Sequence, residues 1–591
     1  MTETALLEFN TPKAVEKAVR ACAATLDGFN DEFAPDIRIA DPRHGDLQAN
    51  GILAFAKSRG VAPCPTAKRL VDALRQSPPL HPNHVAIDVA GPGFINFRFT
   101  ADFLLTWLQR YREPADFKAA SGDEYRRSRI IVDYSSPNIA KQMHVGHIRS
   151  TIIGEAICRL LEFCGANVLR DNHIGDWGTQ FGLLLMEIRR RGYTFDPPPD
   201  DPLADLEALY KDGAARAKKD TTALETARQE LVKLQQGDPE NSHIWQQIRD
   251  LSYKAFQEVY DRFDIQFDKV LGESFYRDKV DRVYNELTEI GLARESEGAL
   301  AVFFPNHPRF CKQPFLIRKS DGASNYAATD LAAVLYRCEH FKAREILYLT
   351  DSRQRDHFTQ LFLTVEQWFA AKNYPLPQLR HIPFGSILGQ DGKAIKTRSG
   401  DPIKLKDLLD EAVERAYTTV SEKNPDLPEP KRRRIAQTVG IGAVRYADLM
   451  QSRTGDYVFS WQKLLSLEGN TAPYLLYAVA RIHSIFRKLD LNPGEGEEGA
   501  APFQSEAELT LARKQLGFAT ALDQALGDLR PHFLCTYLYE LAGAFSAFYT
   551  SDKVMAENTG VRARRILLCA RTLTLLETGL NLLGISTLQK M

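Results

Sequence analysis

The 591-residue sequence has only eight cysteines, and no two of them form a C-x-x-C pair. Cys22, Cys64, Cys158, Cys164, Cys311, Cys338, Cys535 and Cys569 are scattered along the chain. Such spacing excludes a zinc ribbon and a dense disulfide framework, and it points to reduced thiols. No run of about 18 apolar residues is present, so no helical membrane span is expected. The opening MTETALLEFN has no basic start followed by a long apolar core, so no secretory leader is expected either. Net charge is also lacking, at −1. Nothing therefore draws the whole molecule to nucleic acid or lipid, and an anionic partner must be met by local patches. No internal repeat or long low-complexity tract stands out. What remains is the expectation of a soluble, cytoplasmic protein. At this length one core does not suffice, and about three or four domains are expected.

The pattern along the chain changes several times. Residues 1–115 read as an α+β unit, with amphipathic helices at 11–26, 46–60 and 66–76. In HVAIDVAGPGFINFRFT two strands flank Gly91-Pro92-Gly93, a strong turn signal. A polar stretch at 112–127 reads as a linker. From 125 to about 405 strands and helices alternate as in a parallel, Rossmann-type α/β sheet. Two insertions interrupt it, one helical and charged near 195–260 and one of short strands near 295–320. From 406 the chain reads as nearly all helix: a connector at 406–459, then a helical domain over 460–591. Helices are expected at 405–424, 430–451, 460–490, 505–525, 530–550 and 560–583.

Two stretches carry chemistry. In NIAKQMHVGHIRST a strand precedes, and a helix follows, His144-Val145-Gly146-His147. The C-terminal end of a parallel strand is where open α/β sheets bind ligands, and the next helix N-terminus favours phosphate. Two imidazoles there can donate to phosphate oxygens, and Gly146 lets a flat base or ribose approach the backbone. Taken alone, H-x-G-H is equally two surface histidines beside a turn glycine. The second stretch, GQDGKAIKTRSG, places Lys393, Lys396 and Arg398 among three glycines after a strand. A mobile basic loop of this kind can close over a triphosphate. Its plain alternative is a solvated hairpin.

These motifs resemble the arginyl family of class I aminoacyl-tRNA synthetases. DYSSPNIAKQMHVGHIRST, NHIGDWGTQFG, AGPGFINFR and GNTAPYLLYAVARIHSI carry the resemblance, and together they span nearly the whole chain. The class pattern of the second loop, Lys-Met-Ser-Lys-Ser, is not matched by AIKTRSG, a departure often found in the arginyl enzymes. The resemblance implies that Lys141, just before the first motif, takes up the missing role. It also implies ATP contacts from Pro137, His144, Gly146 and His147, with ATP as substrate and Mg2+ on its phosphates rather than in a protein-built metal site. For the arginine pocket it implies Asn138, Asn172, Glu273, Tyr326, Asp330 and Gln354. A guanidinium is always charged and demands planar acceptors, so Glu273 and Asp330 are its expected partners. The implied partners are tRNA(Arg) and L-arginine, and a monomer is typical of the family. Two rival readings are a small-molecule nucleotidylyltransferase, which would not need the long helical tail, and a non-catalytic RNA-binding relative, against which the intact His-x-Gly-His turn argues.

Local charge and aromatics supply the RNA expectations. The basic runs KRRR (431–434) and VRARR (561–565) are candidate RNA contacts, as are Tyr474, Tyr477, Phe545 and Tyr549 for stacking on unpaired bases. Each is also an ordinary helix-face or core residue in another reading.

Overall fold

A computed structural model describes residues 6–30, 32–121, 125–126, 128–196, 201–320, 322–393, 395 and 402–591. The N-terminal unit is a four-stranded antiparallel sheet in the order Ile37–Ile39, Leu47–Ala49, Phe94–Phe99, Val85–Ala90. The helix expected over 46–60 is shorter. Leu47–Ala49 is a strand, because Leu47 and Ala49 alternate into the core opposite Phe97 and Ile95, and the helix covers only Gly51–Arg59. The hairpin over 84–100 forms as expected, with Gly91 and Gly93 both at positive φ.

The catalytic unit is a five-stranded parallel sheet. Its strands are β1 (Arg129–Asp133), β2 (Asn167–Asn172), β3 (Lys269–Val270), β4 (Glu345–Tyr348) and β5 (Gln378–His381), in the order β5-β4-β1-β2-β3. β1 is buried along nearly its whole length, as a strand covered on both faces must be. Helix α1 (Gly146–Phe163) crosses from β1 to β2, and α2 (Gln180–Arg191) follows β2. The chain extends the sheet through β2 and β3 and then returns to the other side of β1. That reversal between β1 and β4 is a topological switch point, where such sheets open a crevice at their carboxyl ends.

The helical insertion is three helices, α3 (Pro202–Lys219), α4 (Thr221–Gln235) and α5 (Pro239–Arg262). The β insertion is a small antiparallel sheet of Ala293–Ser296, Ala299–Val302 and Phe315–Arg318. Helix α6 (Tyr326–Phe341) leads into β4, and α7 (Arg355–Lys372) leads out of it.

Beyond the sheet, helices run from Leu405–Lys423 to Thr559–Leu582. Two of the expected helices are broken. In 460–490 a short turn, Trp461–Leu464, is separated from Ala472–Leu489 by a segment with Gly469 at φ 81° and Thr471 capping the new helix through Tyr474 N. In 505–525 the break falls at Gly517, which joins Glu506–Leu516 to Phe518–Gly527. All eight cysteines are free thiols. Among the described residues no helix is long and apolar enough to cross a membrane.

Candidate active site

The link from β1 to α1 is built under strain. Ser135, Ser136 and Ala140 take left-handed φ values of 71°, 46° and 61° without being glycine. Each is held by side chains from elsewhere. Ser135 N donates to Ser150 Oγ at 2.8 Å, and Ser135 Oγ bonds Thr151 Oγ1 and Tyr260 OH, both at 2.9 Å. Ser136 N donates to Asn172 Oδ1 at 3.0 Å, and Ala140 N to Ser252 Oγ at 3.0 Å. Pro137 O accepts from Gly175 N at 3.1 Å, which pairs this link with the loop after β2.

The two histidines lie against each other, with ring centroids 4.1 Å apart. His144 Nδ1 accepts from Gly146 N at 3.0 Å, and His147 Nδ1 accepts from His144 N at 3.1 Å. With Nδ1 used as an acceptor, each neutral ring carries its proton on Nε2 and offers it as a donor. Burial, with the neighbouring His144, holds His147 down at about 3, and burial also lowers His144. Both are therefore neutral donors near pH 7. Gly146 has a steric reason that the sequence did not reveal. A Cβ there would lie 2.8 Å from His144 Cε1, so only glycine lets the ring fold back over the helix start.

Asn138, at the start of the same link, walls a cleft of about 660 Å3 together with Glu273 and Tyr326. Burial pushes the Glu273 carboxyl up to about 7; His173 opposes this, and Asp330 and Asp176 add to it. Asp330 is deeper. Burial raises its carboxyl, but the hydrogen bond from His357 Nε2 at 2.6 Å, with His173 and Arg337 nearby, outweighs that and lowers it overall. His173 Nε2 stands 3.8 Å from the other Asp330 oxygen. Tyr326 is 58% exposed, with its ring 4.8 Å from that of His357. Two acids of different character thus lie close together, Glu273 on the cleft wall and raised, Asp330 buried behind it and lowered. His173 and His357 were not singled out from the sequence. His173 sits inside NHIGDWG, whereas only the fold brings His357 to Asp330.

Some expected residues stand elsewhere. Asn172 is fully buried, with Oδ1 taken by Ser136 N and Nδ2 donating to Tyr260 OH at 3.1 Å. It braces the turn and does not line the cleft. Gln354 ends a short helical turn, Ser352–Gln354, with its side chain exposed and away from the cleft walls. Lys141 lies with Nζ 5.0 Å from the ring of Tyr210 on α3. Lys393 is exposed at a tight turn closed by Gly389 N donating to Lys393 O at 2.7 Å. Lys396 and Arg398 lie outside the described residues. Downstream of that loop, Ile403 O accepts from Val145 N and Met143 O accepts from Leu405 N, both at 2.9 Å. The exit of the second motif is therefore bonded to the first on both sides of His144.

On the helical side, Phe545 is 1% exposed and belongs to the core. Arg564 and Arg565 pair with Glu508 at 3.1 and 2.7 Å, so these two arginines of VRARR belong to an internal ion-pair cluster. Tyr477 and Tyr549 do face solvent, and the Arg481 guanidinium lies 4.7 and 5.6 Å from their rings.

Residues 117–461 match the family model described as "tRNA synthetases class I (R), catalytic domain". The chain belongs to the arginyl-tRNA synthetases. Residues 12–99 match the arginyl-tRNA synthetase N-terminal domain, and 475–591 the DALR anticodon-binding domain. It is 42% identical to an arginine–tRNA ligase of Synechococcus sp. over 583 residues, covering 96% of this chain and 98% of that protein. It is 41% identical to an Escherichia coli arginine–tRNA ligase over 588 residues, covering 98% of each. The arginyl-tRNA synthetase structure from Plasmodium falciparum superposes with a TM-score of 0.82 at 28% identity, over 99% of this chain and all of that one. The Thermus thermophilus structure shares the fold, with a TM-score of 0.81 at 24% identity over 98% and 100%. As an arginyl-tRNA synthetase, the chain is an ATP-dependent arginine–tRNA ligase.

Proposed function

We propose that this chain charges tRNA(Arg) in two steps at the switch-point crevice, with the following division of labour. The arginine carboxylate attacks the α-phosphate of ATP, giving arginyl-adenylate and pyrophosphate. The terminal ribose of tRNA then attacks the adenylate carbonyl and releases AMP. Such chemistry needs positioning and charge stabilisation and no side-chain nucleophile. His144 and His147 donate Nε2–H to phosphate and ribose oxygens, and Pro137 and Gly146 bound the nucleotide. Lys141 and the loop with Lys393, Lys396 and Arg398 neutralise the phosphates. Glu273 and Asp330 receive the guanidinium beside Tyr326, Asn138 holds the amino acid backbone, and Asn172 acts by bracing the turn. Gln354 belongs to this set by resemblance alone.

One observation supports this reading above the others: Glu273 lines a cleft that Asn138, from the link carrying the His-x-Gly-His turn, also walls, and the Asp330 carboxylate lies close enough behind Glu273 to raise it. A site that buries acids discriminates strongly against amino acids without a guanidinium, since those leave the acids unpaired. Among the described residues no group of three metal-ligating side chains converges. We place Mg2+ on the ATP phosphates, as part of the substrate.

We propose as functional units 1–115, 125–405 with its two insertions, 406–459, and 460–591 as the anticodon-binding domain. The exposed Tyr477–Arg481–Tyr549 cluster suits stacking on unpaired bases. We further propose a cytoplasmic monomer. The deciding experiment is aminoacylation with each of the twenty amino acids and total tRNA. Arginine alone should be charged, and charging of any other amino acid at comparable efficiency would overturn the assignment.

A further inference from the structure

Helix α5 belongs to the inserted helical arm, yet one of its faces is spent on the catalytic crevice. Trp245, Ser252, Tyr253 and Tyr260 recur at spacings of seven, one and seven residues, which places them along a single stripe of the helix. Trp245, Ser252 and Tyr260 are buried, and each of the four makes a polar contact with a loop at the carboxyl end of the sheet.

Two of them serve the phosphate side. Ser252 Oγ accepts from Ala140 N at 3.0 Å while donating to Ile248 O at 2.7 Å. Ala140 is one of the three left-handed residues before His144, and nothing in its own side chain favours that conformation. Tyr260 OH bonds Ser135 Oγ at 2.9 Å and accepts from Asn172 Nδ2 at 3.1 Å, and Asn172 in turn holds Ser136 N. Every strained residue of the turn therefore depends, directly or through one neighbour, on Ser252 or Tyr260.

The other two serve the arginine side. Trp245 Nε1 donates to Asp176 O at 2.9 Å, and Tyr253 OH reaches Asp176 Oδ2 at 3.4 Å. The Asp176 carboxylate accepts from Ser274 N at 2.8 Å and from Ser274 Oγ at 2.7 Å. Ser274 is the residue after Glu273. A Cβ on Gly272, the residue before Glu273, would fall 2.4 Å from the Asp176 carboxylate, so the loop is clasped on both sides of the acid.

We propose that α5 is the template that sets the two halves of the active centre relative to each other, with Ser252 and Tyr260 as positioning residues for the phosphate-binding turn and Trp245 and Tyr253, through Asp176, as positioning residues for Glu273. Neither pair touches substrate. The arm is thereby part of the catalytic frame, and its two interleaved pairs act on different substrates. This inference rests on the assignment of the turn to ATP and of Glu273 to arginine.

The test is steady-state ATP–pyrophosphate exchange with cognate tRNA present, resolving kcat from KM for arginine. Ser252→Ala leaves the Ala140 N–H without its partner and should lower kcat about tenfold, with KM for arginine unchanged within about twofold. Trp245→Phe keeps the ring but loses the donor to Asp176, and should raise KM for arginine about fivefold with kcat nearly unchanged. Tyr260→Phe probes the same half as Ser252→Ala and carries the test where that variant does not fold. Simple loss of stability would lower the active fraction in all variants and leave every KM alone. Variants that unfold at the wild-type temperature and show no split between kcat and KM overturn the proposal. Failure of the wild-type enzyme to exchange in an arginine-dependent way would instead overturn the underlying assignment.

Discussion

At the scale of single residues the site is governed by which groups hold a proton. His147 is a neutral donor by burial, so its contribution to adenylate formation should not titrate near pH 7. His147→Ala removes a donor to developing phosphate charge, and the expected loss is on the order of 3 kcal/mol, or about 100-fold in exchange rate. Arginine affinity should hardly change. An exchange rate equal to wild type would remove His147 from the phosphate site. Glu273 behaves in the opposite way. Its carboxyl is raised to about 7 in the free protein, so it binds a proton that the unfolded chain, with an ordinary value of 4.5, has already lost. Its contribution to stability is therefore full below pH 4.5 and is lost as pH rises toward 7. An incoming guanidinium favours the charged carboxylate and expels that proton. Arginine affinity should accordingly rise with pH up to about 7, approaching tenfold per pH unit well below it, and then level off. Calorimetric titration across pH 5–8 measures this. Glu273→Gln should bind more weakly and flatten the slope, and a slope that persists in that variant would place the titrating group elsewhere.

At the scale of elements, the sheet and its helices were legible because their signals are local. Apolar RIIVDY, a glycine turn and a helical repeat announce β1 and α1 without help from the rest of the chain. The errors lie where a non-local partner decides. Leu47–Ala49 is a strand because Phe94–Phe99 pairs with it, and nothing within 46–60 reports that neighbour. The candidate site divides in the same way. His144, Gly146, His147, Glu273 and Asp330 could be named from motif and resemblance, whereas His357, Asp176 and the role of Asn172 depend on contacts made across the fold. Gly154 in α1 is a further case. A Cβ there would sit 2.3 Å from the ring of Tyr134, which is fully buried and donates its hydroxyl to Glu155 at 2.9 Å. Strand and helix approach that closely only through a glycine. Gly154→Ala should cost about 1–3 kcal/mol by overpacking, since neither element can withdraw. Urea unfolding measures it, and a midpoint unchanged from wild type would show that the contact is looser than described.

At the scale of the whole molecule, the helical half is mechanically joined to the catalytic turn. The strand-like exit from the basic loop bonds to Met143 and Val145 and runs straight into Leu405–Lys423, which packs along Glu429–Leu449. Glu429–Leu449 lies against α1 and Ala472–Leu489, and Arg149 of α1 is buried on Asp448 at 3.4 Å. The N-terminal unit docks on the far helices, where Arg571 donates to Leu108 O at 2.8 Å and Arg513 pairs with Asp46 at 2.8 Å. A tRNA that spans these helices therefore bears on the segment that flanks His144. Its binding free energy can shift the loop carrying Lys393 toward a closed, phosphate-binding state only if tRNA binds that state more tightly. A coupling of ordinary size would make arginine-dependent ATP–pyrophosphate exchange about tenfold or more slower without tRNA. The comparison uses cognate tRNA whose terminal ribose has been oxidised, so that transfer cannot drain the adenylate. Equal exchange with and without that tRNA would show that the continuous path from the helical half to His144 carries no coupling, and would leave the ligase assignment standing.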